Sequence, residues 1–351
     1  MSRFLQIHLL TPYHPSNLNR DDLGRPKTAW LGGRQRLRVS SQSLKRAWRT
    51  SSVFQEGLEG RLGIRTKEMG EQVAKALVAK GVDPQQAEEW AAQVAGVFGK
   101  NKKDTPLHIK QLAHFSPMEK EAIDQLVQRL ASSGKAPDQE DLQLLRHPET
   151  AVDIALFGRM LAASPAYNME AAAQVAHAFT VAEAVVEDDY FTAVDDLNQG
   201  EEDVGAGHMG EIEFGAGVFY LYLCVNLDLL LENLGGDCEL AQKAIAALVE
   251  AAATVAPTGK QNSFASRSVA HYILVESGRR QPRSLAAAFF KPVKSDDHLG
   301  EAIARLEETR DKLDQVYEPL AESREVMNAD AGQGSLAAVI KFAEDAVCPA
   351  S

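Results

Sequence analysis

Cysteine is scarce in this sequence: Cys224, Cys238 and Cys348 are the only three, widely spaced and odd in number. That usage predicts neither a disulfide framework nor a zinc site. Long apolar runs are missing too. The best candidate, GVFYLYLCVNLDLLL (217–231), is broken by Asn226 and Asp228, and its aromatic and β-branched content reads as a buried strand. MSRFLQIHLL at the start has neither the apolar core nor the small-residue cleavage site of a signal peptide. A cytoplasmic protein with no membrane partner is expected.

Catalytic signatures are equally sparse. The nine histidines form no H-E-x-x-H and none sits at ligand spacing from a cysteine. Neither Gly134-Lys135 nor Gly259-Lys260 has the earlier glycine of a P-loop, and there is no nucleophile elbow. Gly205-Ala206-Gly207-His208-Met209-Gly210 spells G-x-G-x-x-G, but Glu201, Glu202 and Asp203 precede it and would repel a pyrophosphate. A dinucleotide fingerprint needs a strand before it and a helix after it, and this segment has neither. Its glycines suit a protruding loop. No catalytic residue, metal or cofactor is expected.

What the chain has is a misplaced charge. Its formal net charge is −12, yet residues 1–50 carry ten Lys/Arg against Asp21 and Asp22, a local +8 that leaves −20 on the remainder. Asymmetry of this kind points to a polyanion held along one track, with the acidic remainder repelling it elsewhere. A merely solvated basic surface is the plainer alternative.

SSQSLKRAWR (40–49) concentrates that charge. A serine N-cap at Ser40 or Ser41 predicts a helix to about Thr50. At 100° per residue Leu44, Ala47 and Trp48 share one face, and Gln42, Lys45, Arg46 and Arg49 share the other. One side anchors; the other is a ladder of donors.

The rest of the chain reads as α+β. FLQIHLL (4–10) alternates like a strand, 11–33 is a turn-rich loop, and RQRLRV (34–39) is a short basic strand. Residues 65–186 read as almost wholly helical, with N-caps at Asp83 and Ser116 and further helices over 149–163 and 168–186. Strands are expected at 188–194, 217–227 and 270–277, and helices at 237–256, 282–290, 297–328 and 335–347. With the helical insertion set aside, the order is strand, helix, strand, strand, helix, strand: the ferredoxin-like pattern, shared with the RNA-recognition motif.

NLNRDDLGRPKTAWLGGRQRLRVSSQSLKRAWR (17–49) resembles the N-terminal block of the CasC family, the backbone subunits of the type I-E CRISPR surveillance complex, Cascade. The likeness resumes at AVDIALFGRM (151–160), VAHAFTVAEAVVEDDYFTAVDDL (175–197) and HMGEIEFGAGVFYLYLCVNLDLLLENLGG (208–236). The resemblance implies a hand-shaped molecule: a modified ferredoxin-like palm (1–60, 187–197 and 217–351), helical fingers (61–186) and a thumb (198–216). It also implies partners: CRISPR RNA, target DNA through the guide, further copies of the chain and other Cascade subunits. Carried over by position, the guide contacts are Arg20, Lys27, Ser40, Gln42, Lys45, Arg46 and Arg49, with Arg34, Phe191 and Lys260 as further candidates. Cations for phosphate oxygens, supplemented by neutral hydrogen bonds, position RNA without reading its sequence. Phe191 suits stacking on a base or, equally, core packing. A rival reading makes the chain a metal-dependent ribonuclease with Asp21 or Asp22 as ligand; the alternative role for these residues is capping a turn or pairing with Arg20 and Arg25.

Overall fold

A computed structural model describes residues 2–147, 150–193 and 208–349. The segment 194–207, with Glu201, Glu202, Asp203 and the first glycines of the G-x-G-x-x-G string, lies outside the described residues. Strands β1 (Phe4–Ser16), β2 (Thr28–Leu31) and β3 (Arg34–Val39) lead into helices α1 (Ser41–Arg49) and α2 (Ser52–Gly57). Then come β4 (Ile64–Thr66), α3 (Met69–Ala79), α4 (Pro84–Phe98), β5 (Ala113–Phe115), α5 (Pro117–Ser133) and α6 (Val152–Phe157). β6 (Ala173–Val175), β7 (Ala178–Thr180), β8 (Glu187–Ala193) and β9 (His208–Asn226) follow, then α7 (Leu227–Asn233), α8 (Cys238–Thr254) and α9 (Gln261–Phe264). β10 (Tyr272–Gly278), α10 (His298–Tyr317), β11 (Ser323–Asn328) and α11 (Leu336–Val347) complete the chain.

The expected α+β class is what forms, around an antiparallel sheet ordered β11-β10-β1-β9-β7-β3-β2, with β6 and β8 also pairing β9. Period-two alternation dictates its two faces. Leu5, Ile7 and Leu9 of β1, Leu221, Leu223 and Val225 of β9, and Ile273 and Val275 of β10 face one core with Trp48 and the apolar side of α8. Leu10, Tyr220, Tyr272 and Leu274 point the other way, against Phe289 and the Ala302–Leu306 turn of α10. The register pairs Ile7 with both Leu223 and Val275 and Leu9 with both Leu221 and Ile273, so these inward residues of β1 have an apolar neighbour on each side. A separate cluster built from Met69, Leu77, Trp90, Phe98, Ile123 and Leu130 is the core of the insertion.

Several expectations need correction. The stretch 168–186 is not a helix. Its alanines are compatible with one, but β9 offers an unpaired edge, and Ala176 N–H donates to Tyr222 O and Val181 N–H to Val218 O across it. The main sheet therefore reclaims β6 and β7 from the segment assigned to the insertion. The helix expected over 149–163 is only α6, stopped by Gly158 at φ +80, where a side chain would be strained. The helix expected over 297–328 ends at Tyr317 and 323–328 becomes edge strand β11; 282–290 holds only a 3₁₀ turn, Ala286–Phe289. β1 runs on to Ser16, and β2 forms inside the expected loop. Cys238, the first residue of α8, and Cys348, just past α11, form a disulfide, contrary to the scarcity argument. Helix packing of α11 on α8 brings together residues 110 positions apart, which spacing cannot reveal. Cys224 stays a buried free thiol. Among the described residues no helix is long and apolar enough to cross a membrane.

Candidate nucleic-acid interface

Helix α1 forms where its sequence asks. Ser40 is the N-cap, its hydroxyl 3.4 Å from Ser43 N, and Leu44 and Trp48 are buried beneath it. Burying an aromatic of that size anchors the helix by about 3–5 kcal/mol against truncation. The opposite side lines an open groove of about 750 Å³, whose walls include Gln42, Lys45, Arg46, Arg49, Arg65, Phe157 and Met160 and, among the described residues, no acidic one. Lys45 Nζ lies 6.0 Å from the centre of the Phe157 ring, within cation–π reach. Burial, and secondarily the nearby Arg65 charge, push the Lys45 ammonium below its ordinary pKa, so an anion in the groove would be welcomed there. Among the described residues neither Lys45 nor Arg46 is ion-paired.

Arg49 departs from the expected ladder. Its Nε sits 2.9 Å from Oδ2 of Asp153, a buried carboxylate on α6 that also accepts Gly63 N–H at 2.8 Å and lies 2.8 Å from His114 Nε2. The arginine is thus largely neutralised within the fold and holds the groove floor to the insertion. Burial alone would raise the Asp153 pKa, but the His114 hydrogen bond, the His114 and Arg49 charges and the Gly63 amide together hold it below the ordinary carboxylate value. A lowered folded-state pKa contributes stability above the ordinary range near 4, and that stability is lost as pH falls through the folded value. Asp153→Asn should therefore destabilise the protein at neutral pH by about 3–5 kcal/mol in urea melts, as breaking a buried pair does. It should also flatten the acid limb of stability against pH; an unchanged limb would show that Asp153 is not the titrating group.

The other sequence candidates fall into two groups. Lys27 and Arg20 belong to the same track: Lys27 N–H donates to Asn19 O, Asn19 Oδ1 accepts Ser40 N–H at 2.9 Å, and Arg20 bridges to Pro26. The basic loop is thereby stitched to the N-cap of α1. Lys260 follows Gly259, whose backbone packs on this loop: a Cβ on Gly259 would lie 2.3 Å from Leu18 O, so only glycine permits that approach. Arg34 and Phe191 stand apart from the groove. Arg34 lies 3.4 Å from Glu183 on the exposed surface. Phe191, on β8, is paired with Gly210 of β9, and its ring tip occupies the space a Cβ there would need, 2.4 Å away. Of the rival acidic pair, Asp21 Oδ1 accepts Leu23 N–H and Arg25 N–H, capping a turn, while Arg25 pairs with Glu213. Among the described residues no three His, Cys, Asp or Glu side chains group as a metal site.

Sequence reasoning passed over Arg38, Arg65, His177, Phe157 and Met160. Arg36, counted with the basic segment, is fully buried and donates to Thr180, Val181 and Phe289 carbonyls, so it braces the hairpin instead of reaching solvent. Met160, 79% exposed, is the end of the AVDIALFGRM string and projects where the groove meets a second cavity of about 290 Å³ flanked by Lys100 and Lys110.

The family model described as CT1975-like protein matches residues 5–346, nearly the whole chain. The chain belongs to this family. Among solved structures, this family member is similar to a chain of a "CRISPR RNA-guided surveillance complex, pre-nicking", at 31% identity over 98% of this chain and 100% of that one, with a TM-score of 0.86. It is also similar to a chain of a "CRISPR RNA-guided surveillance complex", at 30% identity over 95% and 92% of the two chains, with a TM-score of 0.60. No curated protein matches the sequence.

Proposed function

We propose that the chain is a non-catalytic backbone subunit of a CRISPR surveillance complex of the CasC, type I-E kind. Copies would line up along one CRISPR RNA, grip its phosphates and leave its bases free to pair with invading DNA, so that pairing reads the sequence while protein holds the backbone. In this reading the sheet is a modified ferredoxin-like palm, the cluster around Trp90 is the core of the fingers, and β8 with the start of β9 is the base of the thumb. The observation that carries it is an acid-free groove in which unpaired Lys45 and Arg46 stand beside Arg65, on a chain of net charge −12. The high similarity to a chain of an RNA-guided complex supports the same reading. Cations without a carboxylate partner suit phosphate, and exposed Met160 supplies an apolar surface for an unstacked base.

The test is co-purification with a guide RNA, recording the 260/280 nm absorbance ratio before and after ribonuclease, followed by incubation with complementary RNA and Mg²⁺. A ribonucleoprotein that leaves the RNA intact is expected. Cutting that disappears in Asp22→Ala would overturn the non-catalytic reading in favour of the nuclease, and a protein that never retains RNA would overturn both.

A further inference from the structure

His177 lies between β6 and β7, in register with the N-terminus of α1 because Ala178 pairs with Val39 of β3. Its Nδ1 is 3.1 Å from Ser41 N and 3.2 Å from an Arg38 guanidinium nitrogen. Both partners can only donate, so this nitrogen must be the acceptor, and the ring is neutral with its proton on Nε2. Two parts of the cationic track, a strand arginine and the first turn of α1, thus meet on one lone pair.

We propose that His177 is a positioning residue of the RNA grip, holding Arg38 and the start of α1 in register through an unprotonated Nδ1, so that protonating the ring loosens the grip. The inference rests on the RNA-binding reading above, but the lock itself exists without RNA. Among the described residues the charged groups that act on the ring are Lys27 from the loop before β2, Arg38 from β3 and Lys45 from α1, all cations; β9, which pairs with the neighbouring Ala176 through the Tyr222 carbonyl, adds no charge to them. Burial first, and then these three charges, keep the ring's pKa below its ordinary value, consistent with a neutral acceptor. The predicted direction is unusual. Acid adds positive charge and ordinarily tightens phosphate binding; here it removes the acceptor that orders the track.

The measurements are guide-RNA affinity from about pH 7.5 to about pH 5, the span over which histidine titrates, and the Ser41 amide shift of RNA-free, ¹⁵N-serine-labelled protein over the same span. Wild type should lose about tenfold in affinity toward acid, the scale of one hydrogen bond. His177→Asn places a non-titrating carbonyl oxygen near the Nδ1 position and should bind like wild type at neutral pH without the acid loss. His177→Phe, with no acceptor, should be weaker at every pH. The Ser41 amide should titrate in wild type and not in His177→Asn. Affinity that rises in acid, equally in wild type and His177→Asn, or a Ser41 amide that does not titrate, would overturn the proposal. If wild type binds no RNA at all, the RNA reading fails, and the Ser41 titration alone decides whether the lock exists.

Discussion

Replacing Lys45 and Arg46 together by alanine is expected to weaken binding of every single-stranded guide by about a hundredfold or more. A hydrogen bond to a charged group contributes roughly 1.5–3 kcal/mol, so two lost together cost about 3 kcal/mol at the least. The loss should not depend on guide sequence, because phosphates are alike along the chain. The salt dependence provides a second reading of the same variant. Arg20, Lys27, Arg38, Lys45, Arg46 and Arg65 form the candidate set of phosphate partners. About six such contacts give a slope of log affinity on log salt near −4, which should shrink to about −3 without Lys45 and Arg46. Arg46 is exposed and Lys45, half-buried, meets the fold only at its contact with Phe157, so the urea midpoint should move little. Arg49→Ala would be a poor substitute for this experiment. It strands the Asp153 carboxylate, so any lost affinity would be mixed with lost structure. A loss confined to certain guide sequences would show that Lys45 and Arg46 read bases, against the backbone-grip reading.

The contrast between Lys45 and Arg49 also marks how far the sequence could be read. Helix α1 was legible because every local signal agreed: a serine cap, an apolar stripe and a basic stripe at helical spacing. Which of its cations is spent inside the protein was not legible, since the carboxylate that neutralises Arg49 is 104 residues away. The same limit applies to β6 and β7. VAHAFTVAEAVV is alanine-rich and compatible with a helix, and only the waiting edges of β9 and β3 make it extended. His177 escaped notice for that reason: read on a helix, it had no connection to α1. The first half of β1 was legible from its alternation, and β10 and the second half of β9 from their apolar, β-branched and aromatic runs, which suit strands buried on both faces; the end of β1 and the start of β9, which lie in stretches rich in glycine, proline and polar residues, were not.

The second large effect lies in the insertion, at a pair that touches no RNA in the proposed function. Glu119 and Arg159 are both almost wholly buried, with Arg159 Nη1 2.7 and 2.9 Å from the two carboxylate oxygens. Glu119 also completes a capping box with Ser116 at the start of α5 and accepts Arg146 N–H at 3.0 Å. Arg159 meanwhile donates to the Tyr167 and Arg146 carbonyls. Arg159→Ala leaves a buried carboxylate without its counter-ion, an error that costs about 3–5 kcal/mol. Because the insertion has its own apolar cluster, the damage should be local: hydrogen exchange should accelerate across α3, α4 and α5 while β1, β9 and β10 keep their protection. Pairing Glu119→Gln with Arg159→Met should restore most of the loss. Glutamine keeps one acceptor oxygen for Ser116, although its amide NH2 then faces the Arg146 N–H, and no uncompensated charge remains in the interior. The double variant should nevertheless stay below wild type, because methionine cannot donate to the Tyr167 and Arg146 carbonyls. Recovery to full stability would mean that those carbonyls find other donors; no recovery would mean that the single variant failed through lost packing and not through stranded charge. Since Met160 follows Arg159 directly, guide affinity in these variants should track the exchange rates of the insertion, tying the far wall of the groove to a buried ion pair.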